Sequence, residues 1–218
     1  MIYDIHTHYH PEEAGTAIVQ LTPDAFTPLP GHYYSVGLHP WDIADDWKTQ
    51  LAKMAVMALH PQVVMIGEAG VDKKNGSAPI ELQLEVLREQ IRLSEIVRKP
   101  LIIHCVKGVD ELLAIRKETK ATLPWVLHNF RGGIKQYQQL KRAGIYVSVG
   151  ERYDEEFVQE VPLTDILLES DEFNGVDTIY ELICSDMDMD QTDLRQYVWY
   201  NIREILGWGL NWDPNPSF

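Results

Sequence analysis

A chain of 218 residues, 45% hydrophobic and 24% charged, has the composition of a globular protein able to bury a sizeable core. With 19 basic against 33 acidic side chains its net charge is −14, and such a surface repels a phosphate backbone at long range. This excludes a protein that coats duplex nucleic acid, but not a phosphoesterase whose bound cations offset the charge locally. In chain order, eight β-branched or apolar runs predict strands: 2–5, 17–21, 33–38, 63–67, 100–104, 125–128, 145–149 and 166–169. The stretches 48–59, 81–97, 109–118, 134–143 and 194–206 carry helical period, and in 81–97 the residues Leu84, Leu87, Ile91 and 93–97 form a broad apolar stripe. Buried runs alternating with helices indicate a parallel sheet. The pattern fits one α/β domain over 1–218, a (β/α)8 TIM-type barrel with its chemistry at the carboxyl ends of the strands.

The barrel is expected to be trimmed and irregular. Between His8 and Ala17 there is no room for a crossover of about a dozen residues, so the first crossover helix should be reduced or absent. The segment 22–33, with Pro23, Pro28, Pro30 and Gly31, reads as a loop. Cys105 and Cys184 supply no disulfide framework, the first residues carry no export signal, and no apolar run could span a bilayer. A reduced, cytoplasmic protein with no membrane partner is the expectation.

The first run ends in His6-Thr7-His8. Residues i and i+2 of a strand share a face, so both imidazoles can enter one cavity. A lone His-x-His also arises as a turn cap, and further strand ends decide the matter. Glu68 follows Ile66-Gly67, where a bare carboxylate is costly unless it is paired or binds a metal; an N-cap or ion-pair role is the plain alternative. His104 follows Leu101-Ile102-Ile103, and His128 follows Trp125-Val126-Leu127. Either alone would read as a hydrogen-bonded core histidine. Glu169-Ser170-Asp171 then puts two acids on one face, with Asp171 nearer the rim as the better ligand and Glu169 suited to orienting a histidine from behind.

This ordered set resembles the TatD-related metal-dependent hydrolases, often described as TatD DNases, in a short variant. The resemblance runs through His6-Thr7-His8, Val36-Gly37-Leu38-His39-Pro40-Trp41-Asp42, Ile66-Gly67-Glu68-Ala69-Gly70-Val71-Asp72, Ile102-Ile103-His104, Leu127-His128-Asn129-Phe130-Arg131-Gly132, Leu168-Glu169-Ser170-Asp171 and Asn201-Ile202-Arg203-Glu204-Ile205-Leu206. It implies two divalent ions, zinc, manganese or magnesium: one held by His6, His8 and Asp171, one by His104 and His128, with Glu68 bridging. Asp171 and Glu68 are then the catalytic carboxylates, Asp171 as general base toward water. His39, Arg131 and Lys107 are the implied substrate contacts, although His39-Pro40 can also simply shape a turn.

The chain also departs from the family pattern. Where members commonly continue His-x-Arg, this chain has His104-Cys105-Val106-Lys107; Asp171-Glu172-Phe173 lacks the usual following proline; and Lys73 replaces an aromatic residue after Gly70-Val71-Asp72. These changes leave the ligand candidates in place and bear on substrate class. The leading expectation is phosphodiester cleavage, in DNA ends, single strands or a nucleotide-like molecule. The alternatives are hydrolysis of another ester or amide, such as an aminoacyl ester, and a non-catalytic barrel acting as an interaction module. A basic groove around Lys73, Lys74, Lys107 and Arg131 would favour nucleic acid, an enclosed pocket a small substrate. Cys105 should face away from the site. The six Trp residues read as packing or rim, His10, His32 and His60 as surface residues, and 186–190 as a solvated loop leading to a helix cap at Thr192 or Asp193. Residues 214–218 read as a strap or a disordered tail.

Overall fold

A computed structural model of the chain describes residues 1–173 and 175–208. Seven strands form one parallel sheet in sequence order: β1 (Asp4–Thr7), β2 (Ala17–Leu21), β3 (Tyr33–Val36), β4 (Val63–Asp72), β5 (Leu101–Val106), β6 (Trp125–Leu127) and β7 (Ile145–Val147). Crossover helices α1 (Trp47–Met57), α2 (Ile80–Val97), α3 (Val109–Thr119) and α4 (Ile134–Arg142) follow β3 to β6, and α5 (Glu155–Glu160), α6 (Val176–Met187) and α7 (Gln191–Leu206) complete the order. As expected from its nine-residue span, the connection from β1 to β2 holds no helix, and the one from β2 to β3 holds only a 3-10 turn at Pro23–Ala25. Strand side chains such as Ile5, Val19, Ile66, Ile103 and Trp125 are fully buried in one apolar core. Among the described residues, no helix is long and apolar enough to cross a membrane. Residues 214–218 lie outside the described residues.

The eighth strand position differs from expectation. Residues 166–171 pair with their neighbours through the isolated bridges Val149↔Leu168 and Thr7↔Asp171. Glu169 N donates to Val149 O, Ile5 N to Leu168 O and Asp171 N to His6 O, each at 3.0 Å, so this segment still joins the last strand to the first. The ladder stays short because Ser170 N donates instead to the Asp4 carboxylate (3.1 Å), and Asp171 then turns into left-handed backbone at φ 51°.

Strand β4 runs on to Asp72 instead of ending at Gly67, and is buried throughout. Glu68 therefore lies inside a strand and not after its end. The extension is possible because β4 passes very close to β5: a Cβ at Gly70 (φ +156°) would lie 1.9 Å from His104 O, and one at Gly67 (φ +132°) 2.3 Å from Ile102 O.

Helix α2 corrects the predicted stripe. It buries Gln83, Gln90 and Ser94 beside Val86, Leu87 and Ile91, while Ile96 is exposed. The glutamines are inside because they substitute for absent strand partners. Gln90 accepts from Leu38 N (2.9 Å) and donates to Leu38 O (3.0 Å), and Gln83 does the same for Asp72 N (2.7 Å) and Asp72 O (3.2 Å). Apolar periodicity carries no trace of such bonds.

Helices α5 and α6 were not foreseen either. Phe157 and Val158 are too few to give α5 a period, and α6 mixes its buried Ile179, Tyr180 and Ile183 with acids. Asp186 and Met187 belong to the last turn of α6, not to a loop. The cap of α7 is Asp190, whose carboxylate accepts from Thr192 N (2.7 Å), and not Thr192 or Asp193.

The close approach at Gly70 makes a direct test. Gly70→Ala is expected to lower the thermal midpoint by about 5–15 °C, the combined effect of overpacking and a strained φ. Gly133→Ala, where nothing lies within 4 Å of the new Cβ, should cost less than about 1 kcal/mol. Equal midpoints for the two variants in thermal unfolding would contradict this packing.

Candidate metal centre

The carboxyl ends of the strands surround a cavity of about 880 Å³. Glu68, side chain 4% exposed, lies at its centre. On one side His6 Nε2 and His8 Nε2 stand 3.5 and 3.4 Å from Glu68 Oε2, and 3.7 and 3.5 Å from Asp171 Oδ1. On the other, His104 Nδ1 and His128 Nε2 stand 2.8 and 2.7 Å from Glu68 Oε1, and 3.2 Å from each other. His39 Nε2 approaches the same oxygen at 3.3 Å. Three groups bring their donor atoms within 4.8 Å of one another: His6, His8 and Glu68; His6, His128 and Asp171; and His39, Glu68 and His104.

The donor set fits a divalent cation. Neither ring nitrogen of the buried His6 has a hydrogen-bond partner among the described residues, and an orphaned imidazole facing two carboxylates is what a ligand looks like before its ion is added. Both histidines of the second side are also braced from behind. His104 turns its Nε2 to Asp72 Oδ2 (3.3 Å), and His128 turns its Nδ1 to Glu169 Oε1 (3.2 Å). Such pairs fix ring orientation and leave the opposite nitrogen free for a metal.

Of these carboxylates, Glu169 has the bracing position expected of it, itself fixed by Asn129 N (2.8 Å) and the Ser148 hydroxyl. Asp72 was missed as a site residue because it lies four residues beyond Glu68, in what the sequence presents as loop. Asn129 was also missed: its Nδ2 donates to Asp171 Oδ2 (2.8 Å) while its Oδ1 accepts from Arg131 Nε (3.2 Å). A polar residue after a strand-end histidine was the available signal.

The expected substrate contacts fall into two groups. His39 is inside the ring of ligands, whereas Arg131 and Lys107 are exposed on the cavity lining, where Lys74 joins them. Lys73 instead pairs with Glu111 (2.5 Å). Cys105 and Cys184 are free thiols; Cys105 lines the cavity instead of facing away from it, and burial pushes its thiol up to about 11, which favours the protonated form at neutral pH. His32 is buried and not a surface residue. It packs against His10 (5.2 Å), whose Nε2 meets the Tyr34 hydroxyl (3.2 Å), because the loop after β1 folds over the start of β3.

The charges of the site are coupled. Burial disfavours a charged His6, yet Asp171 and Glu68 more than offset it and raise His6 to about 9. His128 is raised well above its usual range by Glu68 and Glu169 against the same burial cost. Burial would raise Glu68 and Asp171, but the imidazoles outweigh it, holding Glu68 low and Asp171 down to about 2. In the metal-free protein the pairing of His6 therefore stabilises the fold fully below about pH 6.5 and is lost as pH rises through about 9.

Cation binding runs with the opposite sign, because it must displace those protons. Calorimetric titration of the metal-free protein with zinc at pH 7, in buffers of different ionisation enthalpy, should show proton release, with affinity still climbing between pH 7 and 9. A plateau above pH 7 would contradict this coupling.

A family model described as TatD related DNase matches residues 20–206, beginning after His6 and His8. The chain is 31% identical over 147 residues to the "uncharacterized metal-dependent hydrolase YabD" of Bacillus subtilis, covering 64% of this chain and 58% of that protein. It is 32% identical over 152 residues to the "3'-5' ssDNA/RNA exonuclease TatD" of Klebsiella pneumoniae, covering 65% and 57%. The matched region thus spans less than two thirds of either relative. Among solved structures, the TatD homolog YJJV of Escherichia coli aligns with a TM-score of 0.79 at 20% identity, covering 94% of this chain and 97% of that one. A hydrolase TatD family protein from Entamoeba histolytica gives 0.74 at 14% identity, with the same coverage. These two similarities establish a shared fold.

Proposed function

We propose, since this chain belongs to the TatD-related DNase family, that it is a metal-dependent hydrolase of phosphodiester bonds working with two divalent cations. The observation that carries this reading is the shared use of one carboxylate: Glu68 offers Oε2 to the His6–His8 side and Oε1 to the His104–His128 side. His6, His8 and Asp171 would hold one cation, His104 and His128 the other, with Glu68 bridging. When bound, the pair supplies an acidified water and offsets the charge of a phosphodiester. Histidine-rich ligands favour zinc or manganese over magnesium.

The chain's own residues supply the rest. Asp171, held as a carboxylate and half-buried at the rim, takes the proton from the attacking water. Asn129 keeps its second oxygen engaged, so that Oδ1 faces the ligand ring. Arg131 and Lys107 line the cavity and would meet the non-bridging oxygens of the substrate, and His39, whose Nε2 lies 3.3 Å from Glu68 Oε1, would donate to it from beside the ligands. The Klebsiella relative's name, an exonuclease of single-stranded DNA and RNA, supports nucleic-acid ends as substrate. The two free thiols support a reducing, cytoplasmic setting.

Two measurements test this. A survey of phosphodiesters, single-stranded oligonucleotides and aminoacyl esters with added manganese or zinc should give turnover on the phosphodiesters; turnover confined to aminoacyl esters would move the function to that class. Asp171→Asn should lower kcat by about 10²–10⁴-fold, the range for a lost general base, while elemental analysis still finds metal. Unchanged kcat would remove Asp171 from that role.

A further inference from the structure

Trp41 is not explained by the ligand ring. It lines the cavity, yet 48% of it is exposed, whereas Phe130 on the same lining is buried. The imidazoles of His39 and His104 meet its ring at steep angles, 87° at 4.8 Å and 72° at 5.8 Å, and no ring lies parallel to it among the described residues. An exposed indole on a loop would normally be free to swing, but this one is fixed. Its Nε1 donates to Asp72 Oδ2 (2.7 Å), and Pro40 O, just before it, accepts from Ser77 N (3.1 Å) and the Ser77 hydroxyl (3.2 Å).

Asp72 is the junction. The oxygen that holds Trp41 also faces His104 Nε2 at 3.3 Å, and its other oxygen accepts from Lys74 N and Asn75 N, each at 2.8 Å. One fully buried carboxylate thus fixes an open aromatic face, a candidate metal ligand and the loop that carries a cavity-lining lysine. A held aromatic face beside cationic groups that meet phosphate is the chemistry that grips an unpaired nucleotide, with stacking for the base and charge for the backbone.

We propose that Trp41 is the platform on which the nucleobase beside the scissile phosphodiester stacks, and that Asp72 is the positioning residue that links this platform to His104. This rests on the phosphodiesterase reading above and narrows its substrate. A base within a duplex has both faces covered, so the platform takes single strands, frayed ends or free nucleotides.

The test compares two probes of equal length and charge, a short oligothymidylate and a strand of abasic sites, with the manganese-loaded full chain at one fixed salt concentration. Binding is read by fluorescence anisotropy and cleavage by initial rates. The parent protein should prefer the oligothymidylate by about 5–100-fold in Kd or KM, and Trp41→Ala should reduce that preference to about twofold or less, with Trp41→Phe restoring most of it. Asp72→Asn, which keeps an acceptor for the loop amides but turns a donor toward Nε1, should also reduce the preference and add nothing further in the Trp41→Ala background.

A parent protein with no preference, a preference that survives Trp41→Ala, or effects of Asp72→Asn and Trp41→Ala that add would each overturn the proposal. A chain that binds in this base-dependent way but cuts no phosphodiester keeps the platform and loses the hydrolase reading. Cleavage of both strands with equal KM keeps the hydrolase reading and removes the platform.

Discussion

A carboxylate taken out of water has to be answered by positive charge or by donors, and the top of this barrel is arranged around answering Glu68. Imidazoles from β1, β5 and the ends of β3 and β6 meet at its two oxygens. The same side chains can answer it in two ways. Protonated, they neutralise it directly, which is why His6 and His128 are raised; neutral, they are ligands to cations that do the same work. Exchange of protons for cations leaves the centre's charge balanced, so the residues can converge on one point before any metal arrives.

Convergence of this kind needs strand ends held to within a fraction of an ångström, and the supports are polar. Gln90 fixes the backbone just before His39, Gln83 fixes Asp72, and Asp72 in turn braces His104. Glu169 does the same for His128, and Asp4 anchors Ser170 between Glu169 and Asp171 (2.7 Å to its hydroxyl). The barrel thus carries a second ring of buried amides and carboxylates beneath the one that faces the cavity. Each member is satisfied by a partner from a different element, and this makes the network cooperative.

The convergence of the innermost ring was legible in the sequence, whereas of the supporting one only Glu169 was. His6, His8, Glu68, His104, His128 and Asp171 each end or interrupt an apolar run, and strand alternation says which way they point. The missing first helix could be read in the same way, since nine residues cannot make a crossover. Gln83 and Gln90, by contrast, sit on the same face of α2 as Val86, Leu87 and Ile91, where their polar type reads as an interruption of the apolar stripe. Only the unpaired backbone of another element makes them buried. The overrun of β4 depends on Gly67 and Gly70 lying against β5, a contact between segments far apart in the chain. The last strand faded to bridges because a side chain, Asp4, took the amide that the ladder would have used. Local pattern encodes which groups are chemically able to act; who supports them is a matter of tertiary contact.

The short link from β1 to β2 has a kinetic meaning as well as a topological one. A barrel closes over its contents with long loops after its strands, and nine residues without a helix leave little to close with. The His8 side chain accordingly remains 35% exposed, against 11% for His104 and 6% for His128. On the proposed assignment the two cations are not equivalent in their traffic with solvent. The one held by His6 and His8 would meet solvent on its His8 side, although His6 itself is wholly buried, while the histidines of the other are both largely enclosed.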